Sequence, residues 1–114
     1  MRIGKLAQIT NIPISTIRYY DYQKLIPQQY MQKSPNGQRD FTEAAIPFLK
    51  RINTLIHAGI QIDDLRNLIS ERLTPETIER QVAVVRNRIV EIERKQAELE
   101  TYKETLLGLL NNPE

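Results

Sequence analysis

A chain of 114 residues and 13.3 kDa can hold one small core, or a small core plus one long element, but not two full domains. It has no cysteine, which excludes disulfides, thiolate metal sites, a thiol redox switch and a cysteine nucleophile. The net charge of +2 hides an uneven distribution: residues 1–60 carry eight Lys/Arg against three acids, a net of +5 that leaves −3 for the rest.

A basic half joined to a mildly acidic half suggests a polyanion-binding head on a body with another task. Charge alone is equally compatible with a solvated basic surface. The opening MRIGKLAQIT lacks a signal peptide's apolar run, and no stretch approaches the ~18 apolar residues of a membrane span. A cytoplasmic protein without membrane association is expected.

In IGKLAQIT, Ile3, Leu6 and Ala7 fall at helical spacing, and Asn11 is a natural stop. After the turn NIP, residues 14–22 repeat the pattern, with Ile14 and Ile17 inward and Tyr20 three positions on from Ile17. Two short helices with a tight turn between them resemble a helix-turn-helix. The outward set on the second is Ser15, Arg18, Tyr19 and Tyr22, a face of donors and aromatic hydroxyls.

From Lys24 to Phe41 the residues favour turns and extended chain, and SPNG is a strong turn signal. Flanked by Tyr30, Met31 and Phe41, it predicts a short hairpin, or wing. Thr42 is expected to cap a third helix with the apolar stripe Ile46, Leu49, Ile52, Leu55 and Ile56. Pro47 should loosen or shift the start of that helix. Gly59 in HAGI ends it, and Asp63 and Asp64 open a fourth helix carrying Leu65, Leu68 and Ile69. Those two carboxylates fit dipole complementation better than acid/base work. His57, the one histidine, has no local carboxylate spacing to complete a metal site, so no metal and no cofactor are assigned. No nucleophile with a base and no phosphate-cradling glycine loop is present, so an enzyme is not expected.

Thr74-Pro75-Glu76 is a helix start, a hydroxyl cap followed by proline at the first helical position. From there Ile78, Val82, Val85, Ile89, Ile92, Gln96, Leu99, Lys103, Leu106 and Leu110 alternate steps of four and three, the seam of a coiled coil. A helix on the order of 50 Å cannot bury that seam on a small head, so it needs a partner helix. Ile78, Val82, Val85, Ile89, Ile92, Leu99 and Leu106 are the dimerisation residues. Gln96 and Lys103 are expected near a helix end or facing the partner's head, where polar seam residues fix register. The expected division is a DNA-binding head over 1–72, a dimerisation helix over 73–110 and a short tail over 111–114.

The order IGKLAQITNIPISTIRYYDYQKLIPQ, then NGQRDF, then FLKRINTLIHAGIQIDDLRNLI, then a long coiled-coil helix resembles the MerR family of bacterial transcription regulators. The resemblance covers essentially the whole chain. It implies a mainly α fold, a winged helix-turn-helix head followed by an antiparallel coiled-coil homodimer. It further implies binding to inverted repeats in double-stranded promoter DNA with an overlong spacer, which the protein can bend and untwist for RNA polymerase. Departures are visible. Gln38 stands where the wing of the family usually has tyrosine, Ser15 where many members carry arginine, and Gln61 where a serine cap is usual. The cysteines of the metal- and redox-sensing branches are absent, and no appended ligand-binding domain is expected.

Arg18 supplies a planar fork for a phosphate or a guanine edge, and Tyr19 a hydroxyl for a phosphate. Arg39 on the wing and Lys50 or Arg51 on the third helix can neutralise flanking phosphates. Ser15, Thr16, Tyr20 and Gly37 complete the expected DNA-binding set. Tyr20 is as readily a packing residue, and Arg18 could instead pair with Asp21 or Asp40 on the surface. Two other classes compete with a dimeric regulator: an architectural, excisionase-like DNA-bending module, and a coiled-coil interaction protein that binds no DNA. The long seam disfavours the former and TIRYYD the latter.

Overall fold

The computed structural model describes residues 1–112, which form five helices and one two-stranded sheet. Helix α1 (Ile3–Thr10) ends at Asn11, which takes the left-handed conformation (φ 59°) open to a short polar side chain. Helix α2 (Ile14–Tyr22) follows after two residues that include the buried Ile12. Ile17 faces the core as expected, but Ile14 is 38% exposed. It is the first residue of α2, and its Cβ tilts back past the end of the helix instead of onto the core.

A full Schellman motif closes α2: Lys24 N donates to Asp21 O and Leu25 N to Tyr20 O, both at 2.9 Å. It requires Lys24 at φ 60°, where a Cβ crowds its own carbonyl. Lys24→Gly is therefore expected to raise unfolding free energy by about 0.5–1 kcal/mol, once glycine's extra freedom in the unfolded chain is deducted. Chemical denaturation checks this.

A short 3₁₀ turn (Gln28–Tyr30) leads into β1 (Met31–Lys33), which pairs antiparallel with β2 (Arg39–Phe41) in the register Met31↔Phe41, Lys33↔Arg39. The tip is SPNG: Gly37 sits at φ 83° and its N–H donates to Ser34 O at 2.9 Å. Tyr30 stacks on Phe48 with ring centroids 4.5 Å apart, anchoring the base of the wing.

Helix α3 (Ala45–His57) begins three residues beyond the expected Thr42 cap. Thr42 and Glu43 instead form turns, accepting from Ala45 N and Ile46 N at 3.0 Å, and Ala44 at the cap position has no side-chain acceptor. The later start puts Pro47 in the first turn, where an amide has no acceptor within the helix and proline loses nothing. A second Schellman motif ends α3: Gly59, at φ 98°, donates to Ile56 O at 3.0 Å and Ile60 to Leu55 O at 3.1 Å. Helix α4 (Ile62–Ser70) starts at Gln61 without a side-chain cap, and Asp63 in its first turn pairs with Arg66 at 2.8 Å.

The core gathers Leu6, Ile17, Leu25, Leu49 and Leu65, all essentially inaccessible, with Ile12, Tyr20, Phe41 and Ile52 around them. At roughly 1.5–3 kcal/mol per large apolar side chain, this cluster supplies the main force that holds α1 to α4 and the wing together.

Helix α5 (Pro75–Asn111) is 37 residues long, about 55 Å at the usual rise, in a molecule measuring 68 × 38 × 19 Å. Thr74 Oγ1 accepts from Thr77 N at 3.2 Å while Thr77 Oγ1 accepts from Thr74 N at 2.8 Å, a reciprocal capping box. The helix takes in Asn111, the first residue of the expected tail; residues 113 and 114 lie outside the described residues. Among its described residues none is buried. Its attachments to the head lie in its first half. There Val84 touches the core cluster, Arg80 pairs with Glu71 at 2.6 Å, and Arg88 Nε donates to Ala58 O at the end of α3. A Cβ at Gly59 would collide with that guanidinium. Among the described residues no helix is long and apolar enough to cross a membrane.

Candidate nucleic-acid interface

Helix α2 divides its side chains cleanly. Ser15, Arg18, Tyr19 and Tyr22 face outward, and Thr16 is half-buried. Tyr20 is buried, and its hydroxyl donates to Asn53 Oδ1 at 2.7 Å. Burial pushes the Tyr20 phenol above its ordinary pKa, which keeps it a neutral donor. Tyr20 thus pins α2 to α3: of the two roles the sequence left open for it, packing and DNA contact, its burial fits packing. A second clamp comes from α4: Arg66 donates through Nε to Gln23 O and through Nη2 to Gln23 Oε1, both at 3.0 Å.

Between α2 and the wing lies a cleft of about 600 Å³. Its floor is Ile3, Ile17 and Phe41; its rim carries Arg2, Arg18, Gly37, Gln38 and Arg39. Three guanidinium groups against the single carboxylate of Asp21 make it strongly basic. Arg39 Nε lies 2.5 Å from Asp21 Oδ2, an ion pair outside hydrogen-bond geometry that ties wing to helix. Asp40 is taken up by the Met1 ammonium at 2.8 Å, which holds its carboxyl below the usual carboxylate range. Both acids that could have neutralised Arg18 are therefore engaged elsewhere, and among the described residues Arg18 makes no ion pair.

Of the residues expected to bind DNA, the fold brings Arg18, Gly37 and Arg39 into this one cleft, with Ser15 and Tyr19 exposed beside it on α2. Lys50 and Arg51 are exposed on α3, outside the cleft; Arg51 borders a shallow depression with Tyr30, Pro47 and Phe48. Arg2 is a rim residue that the sequence did not single out, and Gln38, noted there only as a departure from the family's wing, joins it on the rim. A basic residue immediately before the first helix was the available signal for Arg2. His57 is exposed, with Nδ1 2.7 Å from Asn53 O.

On α5 the seam residues Ile78, Val82, Val85, Ile89, Leu99 and Leu106 are between 41% and 65% exposed, and Ile92 is half-buried. An apolar stripe broken only at Gln96 and Lys103, on a helix extending from the head, is the form of an unpaired coiled-coil strand.

The profile of the MerR HTH family regulatory proteins matches residues 1–72. The HTH-type transcriptional regulator ZntR of Escherichia coli K12 is 32% identical over 110 residues, which cover 95% of this chain and 77% of that protein. Among solved structures, a MerR-family transcriptional regulator from Bacillus thuringiensis superposes with a TM-score of 0.68 at 26% identity, over 94% of this chain and 96% of the other. HiNmlR, a MerR-family regulator lacking the sensor domain and solved bound to promoter DNA, superposes with a TM-score of 0.76 at 24% identity, over 96% and 86%. A winged helix-turn-helix head with an exposed Arg18–Tyr19 face, a long capped helix after it, and sequence relatedness along nearly all of its length place this chain in the MerR family of DNA-binding transcriptional regulators.

Proposed function

We propose that the protein binds an inverted repeat in promoter DNA as a homodimer, presents α2 of each copy to a major groove, and distorts the intervening DNA. The observation that carries this reading is the convergence of Arg18 on α2, which has no ion-pair partner among the described residues, with Arg39 on the wing at one basic cleft. Arg18 and Tyr19 are placed to contact the groove and its phosphates, and Arg39 and Arg2 to neutralise backbone on the wing side. Dimerisation through antiparallel α5 helices is supported by the exposed seam and by the family resemblance. It would hold two α2 helices apart for half-sites in successive major grooves. The activity is regulatory, without a catalytic step, and is exerted in the bacterial cytoplasm with RNA polymerase as a further partner. An excisionase-like bending module has no use for so long a seam.

Footprinting on the DNA upstream of the protein's own gene tests the reading. A protected inverted repeat inside an overlong promoter spacer is expected; absence of any protected repeat there, and none recovered from random DNA by selection, would defeat it. Arg39→Ala should weaken binding to all sequences alike and reduce the slope of log affinity against log salt by about 1, as loss of a phosphate contact does. A changed base preference at an unchanged slope would instead make the wing a reader of sequence.

A further inference from the structure

The seam of α5 has two alternating positions, one held by Ile78, Val85, Ile92, Leu99 and Leu106, the other by Val82, Ile89, Gln96, Lys103 and Leu110. In an antiparallel pair of identical helices each layer joins one residue of each kind. The numbers of facing residues then have a constant sum, and sliding by one heptad changes that sum by seven. Sums of 181, 188 and 195 keep most of the seam covered, and they make different demands on the rest of the helix.

With a sum of 188 every seam residue has a partner, from Ile78 facing Leu110 to Ile92 facing Gln96, which places Gln96 at the dimer axis instead of the helix end expected for it. With 195, Ile78 and Val82 are left in water; with 181, Leu106 and Leu110 are. Charges flanking the seam point the same way. At 188, Arg86 of each copy stands beside Glu100 of the other, giving two attractive pairs, against one Glu93 pair and one Lys95 pair where the helices cross the axis. At 195, Glu93 meets Glu100 twice; at 181, Arg86 meets Glu93 twice, but Glu79 meets Glu100 and Arg88 meets Lys95, each twice, so repulsive contacts outnumber attractive ones.

We propose that two copies pair through α5 in the register that sets Val82 against Leu106, Val85 against Lys103 and Ile89 against Leu99, locked by Arg86 and Glu100. This rests on the antiparallel dimer reading above. The same register brings Tyr102, 58% exposed on the lone chain, to Arg88 of the other copy. Arg88 borders an open groove of about 300 Å³ with Gly59, Gln61 and Glu91, and its guanidinium already binds the last turn of α3. An aromatic ring over that guanidinium fills the groove and puts one copy's helix in contact with the joint of the other copy's head.

The absence of native cysteine makes the test direct. Val85→Cys combined with Lys103→Cys should give a nearly complete disulfide-linked dimer on mild oxidation. Val85→Cys combined with Gln96→Cys, or with Leu110→Cys, should give little. Preferential cross-linking of either of those pairs overturns the register while leaving the dimer standing. A covalent dimer from Val85→Cys alone would mean parallel helices, and a monomeric mass for the unmodified protein by light scattering at micromolar concentration would defeat the dimer itself. Independently, Arg86→Glu and Glu100→Arg should each raise the dimer dissociation constant several-fold, and the two together should restore it. A double variant no better than the singles overturns the register.

Discussion

Replacing Ile89 and Ile92 together with glutamate is expected to split the dimer and to take operator binding down with it. Neither residue has a place in the head: Ile89 is 48% exposed and Ile92 half-buried on a helix with no buried residue of its own. A partner helix would remove both from water in each copy, at roughly 1.5–3 kcal/mol per large apolar side chain before ordering costs are subtracted. The double substitution forfeits that gain and puts like charges across the interface near its centre. Because nothing in the head relies on these side chains, the monomer should keep its helical circular dichroism in the first four helices. Light scattering reads the mass, and a gel-shift titration at fixed salt reads the affinity. A variant that stayed dimeric, or a monomer that bound the operator as tightly as the parent, would end the proposed assembly.

Arg18→Ala should sharply reduce discrimination between operator and unrelated DNA while leaving fold and assembly intact. The side chain is exposed and makes no ion pair among the described residues, so its removal leaves no orphaned partner in the protein. The expected loss is about 1–3 kcal/mol if the guanidinium grips a guanine edge in two places. Operator affinity that matched the parent at the same salt would remove Arg18 from the recognition set.

Local chemistry was legible in the sequence wherever one residue type answers one backbone requirement. Asn11, Gly59 and Thr74-Pro75 mark helix ends because left-handed dihedrals and capping oxygens are available to few side chains, and each ends or starts a helix where expected. Lys24 adopts the same left-handed geometry without any such signature, since the Schellman bonds and the burial of Leu25 impose it. Thr42 was misread as a cap because a hydroxyl before a periodic run is a local signal, whereas the demand of Pro47 for a first-turn position prevails over it. Ile14 was counted inward because periodicity does not distinguish a helix interior from its first residue. In the interface, the outward face of α2 follows from spacing alone. The Asp21–Arg39 pair and the Tyr20–Asn53 bond do not, because each joins segments that only folding brings together. Arg2 was missed for the same reason, since its place on the rim is set by the packing of α1 against the wing.

Residues 71–74 carry no helix, and such a link would by itself let the head swivel on α5. It is held on the same side by three attachments: the ion pair of Arg80 with Glu71, which is the link's first residue and the cap of α4; Val84 against the core; and the guanidinium of Arg88 on Ala58 over the bare backbone of Gly59. Three separated points of fixation determine orientation as well as distance. Attachments so placed join the head and the first half of α5 as one lever, so torque applied at the exposed face of α2 should run along the helix instead of being lost at the link.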